Sequence, residues 1–188
     1  MARLMLDEEE PMSLYDFLRS RYYHDGFWEL CRGELVAMSP AVSNHDFTSN
    51  QLSYLFKLSI GKYNMRCRVG GPNTAVMYQD NSYLLPDLFV SCDKSRVNEK
   101  GRYILGPELV VEVLSPATKS YCLSEKRDLY KDLGTDEYWV VDMEEKSVLV
   151  ENFKAGYIAR FYLNDVIKSF YNSNFDFNVK DVFEDILG

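Results

Sequence analysis

The sequence predicts an α/β fold in which a mixed central sheet is flanked by helices. Apolar runs of strand length alternate with two stretches of helical periodicity. The order through the middle of the chain is helix, three strands, helix, strand, and such an order calls for helices packed on a mixed sheet. Of the 188 residues, 46% are hydrophobic and 14% aromatic, enough to bury a sizeable core and to exclude a disordered chain.

Each element has a local reason. Ser13 followed by Asp16 resembles a capping box, and Leu14, Phe17 and Leu18 give the short helix after it an apolar stripe. Residues 27–38 read as a hairpin that turns at Arg32-Gly33. Ser43-Asn44-His45-Asp46 starts a helix whose stripe runs through Leu52, Leu55, Phe56 and Ser59, with Gly61 suited to its end. Strand-like runs follow at 66–78, 83–91 and 109–114. A second helix is expected over 118–133, closed by Gly134. Residues 137–142 and 147–153 pair across Glu144-Glu145, and a strand at 157–163 and a short helix after Asp181 complete the chain. One domain is expected over 1–188: a helix and hairpin in 1–43, a core in 44–153, and a strand with a short helix in 154–188.

Composition narrows the function classes. No apolar run reaches the length of a membrane span, and the N-terminus turns acidic before a signal-peptide apolar region forms, so a cytoplasmic protein is expected. The four cysteines, Cys31, Cys67, Cys92 and Cys122, form no Cys-x-x-Cys pair, and there are two histidines. Neither a disulfide framework nor a structural zinc site is expected. The net charge of -8 argues against a nonspecific nucleic-acid coat, although local patches matter more than the sum.

The chemistry is expected around three residues. Glu112 lies in Leu109-Val110-Val111-Glu112-Val113-Leu114, a run apolar on both faces and therefore central. A carboxylate there needs an ion pair, a proton or a bound cation. Asp87 follows Pro86, which cannot donate a ladder hydrogen bond, so the strand is interrupted where an acid can be aimed into a cleft. Lys126 falls in the stripe of Cys122, Leu129, Tyr130 and Leu133, where an ammonium needs an anionic partner unless its stem reaches the surface. His45 is either an auxiliary group or a satisfied structural histidine, and Glu34 either joins the acids or is a solvated turn residue. Lys94, Arg96, Lys100 and Arg102, with Arg66 and Arg68, are phosphate-contact candidates or a solvated loop.

Pro86-Asp87, Glu112 in a Val-Glu-Val-Leu strand, and Lys126 resemble the PD-(D/E)XK nuclease superfamily. More narrowly, the chain resembles the bacterial Uma-two family of restriction-endonuclease-like proteins. The matching pieces include Trp28-Glu29-Leu30, Gly33-Glu34-Leu35, Ser39-Pro40, His45, Ser115-Pro116, Thr118, Tyr130 and Glu137-Tyr138-Trp139-Val140-Val141-Asp142. The resemblance implies a restriction-endonuclease-like core of αβββαβ order. It implies Mg²⁺ or Mn²⁺ held by Asp87, Glu112 and the carbonyl of Val113, with Lys126 as the catalytic lysine. It further implies DNA as substrate, phosphodiester hydrolysis as reaction, and a homodimer. The superfamily's lysine position, two residues after the second acid, is Leu114 here, and the Uma-two pattern moves the lysine to the next helix. The aspartate usual four residues before that lysine is Cys122. The alternative reading is a weak or inactive, dimeric binding module on the same fold, and a small-molecule phosphohydrolase is a third.

Overall fold

The computed structural model describes residues 11–38, 43–79, 81–97, 105–116 and 118–186. Ser13 caps α1 (Leu14–Arg19), accepting from the Asp16 N–H at 3.1 Å, as the capping-box reading anticipates. A turn of helix, α2 (Arg21–His24), leads into the hairpin of β1 (Trp28–Cys31) and β2 (Glu34–Ala37). Arg32 and Gly33 both take positive φ there, 52° and 85°, the pair of left-handed residues that a tight hairpin turn requires. The long helix α3 (Ser43–Lys62) follows, with Thr48, Leu52, Phe56 and Ser59 on its buried face. Gly61 falls in the last turn of α3, and Asn64 takes the left-handed conformation just after the helix.

The expected single sheet divides in two. A six-stranded sheet has the order β10-β9-β8-β7-β6-β3, and a four-stranded one the order β2-β1-β5-β4. The run at 66–78 splits into β3 (Arg68–Gly70) and β4 (Val76–Tyr78), and the run at 83–91 into β5 (Ser82–Leu84) and β6 (Leu88–Ser91). The physical reason is proline. Pro72 and Pro86 each deny a ladder donor, the first in a turn closed by Thr74 N–H to Gly71 O at 3.0 Å. The chain therefore leaves the large sheet after β3, forms the β4-β5 hairpin against β1, and returns as β6.

The large sheet holds the expected core. Along the chain it reads α3, β3, β6, β7 (Leu109–Val113), a helical segment, then β8 (Glu137–Asp142). Among the described strands only β7 and β8 run parallel; β9 (Ser147–Asn152) and β10 (Tyr157–Tyr162) add antiparallel strands at one edge. The helix expected over 118–133 is broken into α4 (Lys119–Leu123) and α5 (Glu125–Asp132). Ser124 breaks it, at φ -126° and ψ -93°, with its hydroxyl donating back to the Ser120 carbonyl at 2.7 Å. The terminal helix α6 (Val179–Val182) begins three residues earlier than expected and is followed by a turn of 3₁₀ helix.

Leu52 and Phe56 of α3 pack on one face of the large sheet with Val111, Val113, Trp139 and the C-terminal Phe175 and Phe183. Tyr121, Leu129 and Tyr130 pack on the other face with Val110, Tyr138 and Val140, joined by Val76 and Leu84 of the small sheet. Both faces of β7 and β8 are therefore covered, which explains their unbroken apolar runs. Cys67 and Cys92 are disulfide-bonded, against the expectation from cysteine spacing. They flank the Arg68–Ser91 pair of β3 and β6, an adjacency that the 25-residue separation conceals. No helix among the described residues is long and apolar enough to cross a membrane.

Candidate functional site

Strand register brings the two acids together. In the β6–β7 ladder Leu88 faces Val111, so one step further sets Asp87 against Glu112. Asp87 has just passed Pro86 and is free of the ladder, and its Oδ2 accepts the Val113 N–H at 2.8 Å. His45, in the first turn of α3, reaches the same oxygen with Nε2 at 3.2 Å. Burial pulls the His45 ring toward neutrality, but the bond to Asp87 and the charges of Asp87 and Asp46 outweigh it, so its pKa lies above the ordinary value.

Lys126 is fully buried near the start of α5, just past the helix break. Its Nζ donates to Glu112 Oε2 at 3.0 Å, with Oε1 2.9 Å away, and to the Leu85 carbonyl at 3.2 Å. It also lies 2.9 Å from Glu29 Oε1. Burial opposes the Lys126 charge, yet Glu112 and Glu29 hold its pKa well above the ordinary lysine value. Burial likewise pushes the Glu112 carboxyl well above the usual range; Lys126 draws it down, while Asp87 and Glu29 push it further up.

Glu29 is the member that sequence reasoning missed. It lies on β1, fully buried, and accepts from Leu85 N–H at 2.7 Å and from the Tyr121 hydroxyl at 2.9 Å. The signal was present: Trp28-Glu29-Leu30-Cys31 sets a carboxylate among apolar residues on a strand, as around Glu112. Glu34, read as either an auxiliary acid or a solvated turn residue, opens β2 exposed and opposite Cys31. The tight hairpin turn fixes that register and leaves Glu29, paired with Val36, as the inward acid.

Arg96 also differs from expectation. It donates to the carbonyls of Gly106 and Gly134 and lies within 3.8 Å of Glu108 and 3.6 Å of Asp136, so it binds loops together rather than facing a ligand. Lys94, Arg66 and Arg68 are exposed. Lys100 and Arg102, with Ser39 and Pro40, lie outside the described residues. Cys122 is buried on α4, its thiol pKa driven up by burial, and its carbonyl accepts from the Tyr138 hydroxyl.

Two carboxylates, Glu29 and Glu112, thus flank one ammonium, and Asp87, bonded to His45 and to the Val113 N–H, stands beside Glu112 across the strand pair. Among the described residues no three His, Cys, Asp or Glu side chains converge with metal-ligand spacing. The donors still fit a hard divalent cation. Mg²⁺ commonly takes only one or two protein carboxylates and completes its shell with water and substrate phosphate. Glu112 Oε1 is buried, and beyond the Lys126 ammonium at 2.9 Å it has no hydrogen-bond partner among the described residues.

Against known protein families, residues 14–166 match the Uma2 model, described as "Putative restriction endonuclease". The chain belongs to the Uma2 family. Two curated relatives come from Synechocystis sp. (strain ATCC 27184 / PCC 6803 / Kazusa), both called uncharacterized proteins, slr1290 and sll1609. The first is 34% identical over 113 residues and 60% of this chain, the second 25% identical over 116 residues and 61% of this chain. The chain spans 56% and 65% of their respective lengths. A crystal structure from Anabaena variabilis ATCC 29413, described as a putative nuclease belonging to DUF820, superposes with a TM-score of 0.76. It is 19% identical and covers 93% of this chain and 98% of its own. At that identity the likeness establishes the restriction-endonuclease-like fold and leaves the chemistry of this Uma2 member to its own residues.

Proposed function

We propose that this protein is a divalent-metal-dependent endonuclease that hydrolyses DNA phosphodiester bonds. The observation that carries the reading is the meeting of Asp87, Glu112 and Lys126 at the ends of β6 and β7. The Val113 N–H orients Asp87, and Lys126 holds Glu112 at 3.0 Å. Bound Mg²⁺ or Mn²⁺ would lower the pKa of a coordinated water and offset charge on the phosphoryl group. Asp87 and Glu112 would hold the ion with the Val113 carbonyl. Lys126 holds Glu112 and would orient the attacking water or offset charge on the phosphate. His45 keeps Asp87 turned toward Val113. Family membership supports the same reading.

The test is cleavage of plasmid and linear DNA with Mg²⁺ or Mn²⁺. Asp87→Asn and Glu112→Gln should each abolish it while preserving the circular-dichroism spectrum. Retained metal-dependent cleavage in both variants would overturn the reading.

One observation favours the alternative of a weak or inactive binding module. Lys126 and Glu29 are completely buried and Glu112 is 1% exposed, so the triad is closed on itself. Calorimetry with Mn²⁺ separates the two: saturable binding lost in Asp87→Asn supports the nuclease, and its absence supports the module. A homodimer is part of the proposal, supported by the edge position of β10 and the exposure of Tyr162 and Phe170. Light scattering checks it, and a monomer at working concentration would remove it.

A further inference from the structure

A cavity of about 320 Å³ opens at the carboxyl ends of the parallel pair β7 and β8. Its walls are chain neighbours of the acidic centre. Asn44 precedes His45, and Leu114 and Ser115 follow Val113, whose N–H holds Asp87. The volume lies at the lower end of the range for ligand pockets, about 300–1,000 Å³. Leu114, Pro116, Met143 and Ile186 supply apolar walls, and Asn44 supplies an amide able both to donate and to accept.

The charges exclude a simple anion site. Lys119 and Lys146 line the cavity, but so do Asp142 and Glu144. Lys119 is committed to Asp142, with Nζ 2.9 Å from Oδ2, and Asp142 Oδ1 also accepts the Glu144 and Glu145 N–H groups at 3.1 Å each. Of the two lysines, Lys146 is the one whose side chain has no ion-pair or hydrogen-bond partner among the described residues, and the Glu144 carboxylate is likewise unpaired there. It stands at the β8–β9 turn with φ 48°. A flat, largely apolar group with edge polarity, attached to one phosphate, suits such a lining better than a bare phosphate does.

We infer that this cavity receives one unstacked nucleobase of the substrate, the nucleotide flanking the phosphate addressed by Asp87 and Glu112. The inference rests on the nuclease reading and adds a substrate class to it: single-stranded or locally unpaired nucleic acid. The base lies between Pro116 and Met143, Asn44 meets its polar edge, and Lys146 meets the connecting phosphate. An acidic chain that gains little from coating duplex phosphates recovers binding through the base instead.

The first experiment is calorimetry on the full chain with deoxynucleoside monophosphates, deoxyribose phosphate and inorganic phosphate, without metal. The mononucleotides should bind about tenfold more tightly than deoxyribose phosphate, as expected when a base buries about 60 Å² against apolar side chains. Asn44→Ala and Met143→Ala should each weaken mononucleotide binding with an unchanged circular-dichroism spectrum. Equal affinities for all three ligands, no binding of any, or no effect of either substitution would overturn the inference. The second experiment places a single abasic site along a single-stranded oligonucleotide. Cleavage should fall about tenfold when the gap enters the flanking position. Cleavage that is lost in Asp87→Asn but indifferent to the abasic site sinks the cavity and spares the nuclease. Mononucleotide binding without any metal-dependent cleavage does the reverse.

Discussion

Replacing Lys126 with methionine tests the charge balance of the centre. The substitution keeps the bulk of the stem and removes an ammonium that lies 2.9 Å from Glu29, 3.0 Å from Glu112 and 3.2 Å from the Leu85 carbonyl. Two carboxylates at 0% and 1% exposure then face each other without a cation. Removing one partner of a buried pair costs about 3–5 kcal/mol, a large part of the ~5–15 kcal/mol that stabilises an ordinary domain. At ~2–4 °C per kcal/mol for a chain of this size, the midpoint should fall by roughly 6–20 °C. The loss should depend on pH with a definite sign. Burial and the neighbouring acids already raise the Glu112 carboxyl in the intact protein, and without Lys126 they raise it further. A raised folded value means a contribution that is complete below the ordinary glutamate value of 4.5 and is lost as pH rises through the folded value. The variant should therefore be nearer to wild type at acidic pH than at alkaline pH. Urea unfolding followed by circular dichroism at several pH values measures both effects. A penalty below about 1 kcal/mol at neutral pH, or one that grows on acidification, would refute the view that Lys126 neutralises this cluster.

Other perturbations probe the frame around the site. Gly70→Ala would push a methyl into the ring of Phe89, its partner across β3 and β6; a loss of about 1–3 kcal/mol is expected, and an unchanged urea midpoint would contradict that packing. Glu137 is fully buried and accepts from Trp139 Nε1, Asn152 Nδ2, the Ser169 hydroxyl and the Phe170 and Tyr171 N–H groups. Glu137→Ala should speed hydrogen exchange in residues 165–178, and unaltered exchange there would show that it does not pin the C-terminal segment. Burial alone would raise the Asp142 carboxyl, but Lys119 and the turn N–H groups hold it below its ordinary 3.8. Its contribution is thus present above that value and lost as pH falls through the folded one, so the gap between wild type and Asp142→Asn should close in acid. The Cys31 thiol is pushed up to about 11, chiefly by burial, so alkylation at neutral pH should be slow until the protein is unfolded.

Much of the candidate site was legible because its members violate local expectation. Glu112 and Lys126 are charged residues within apolar periodicities, and Asp87 follows a proline inside a strand-like run. Burial of a charge demands a partner, so each anomaly announced one without naming it. Glu29 carried the same anomaly in a shorter strand of the hairpin that also offered Glu34. Arg96 carried none, because a lone arginine in a basic loop reads as solvated until Glu108, Asp136 and two carbonyls are seen around it.

By itself the sequence determined the elements, since hydrophobic period, capping residues and turn glycines are local properties. It marked Asp87, Glu112 and Lys126 and the order of the core. Only the tertiary structure decided that two prolines divide the strands between two sheets, that Cys67 meets Cys92, and that Glu29 shares Lys126 with Glu112. Those outcomes depend on strand register and on contacts between residues far apart in the chain, 92 positions for Tyr121 and Glu29. A local pattern states that a group must be satisfied, and the packing of distant segments selects what satisfies it.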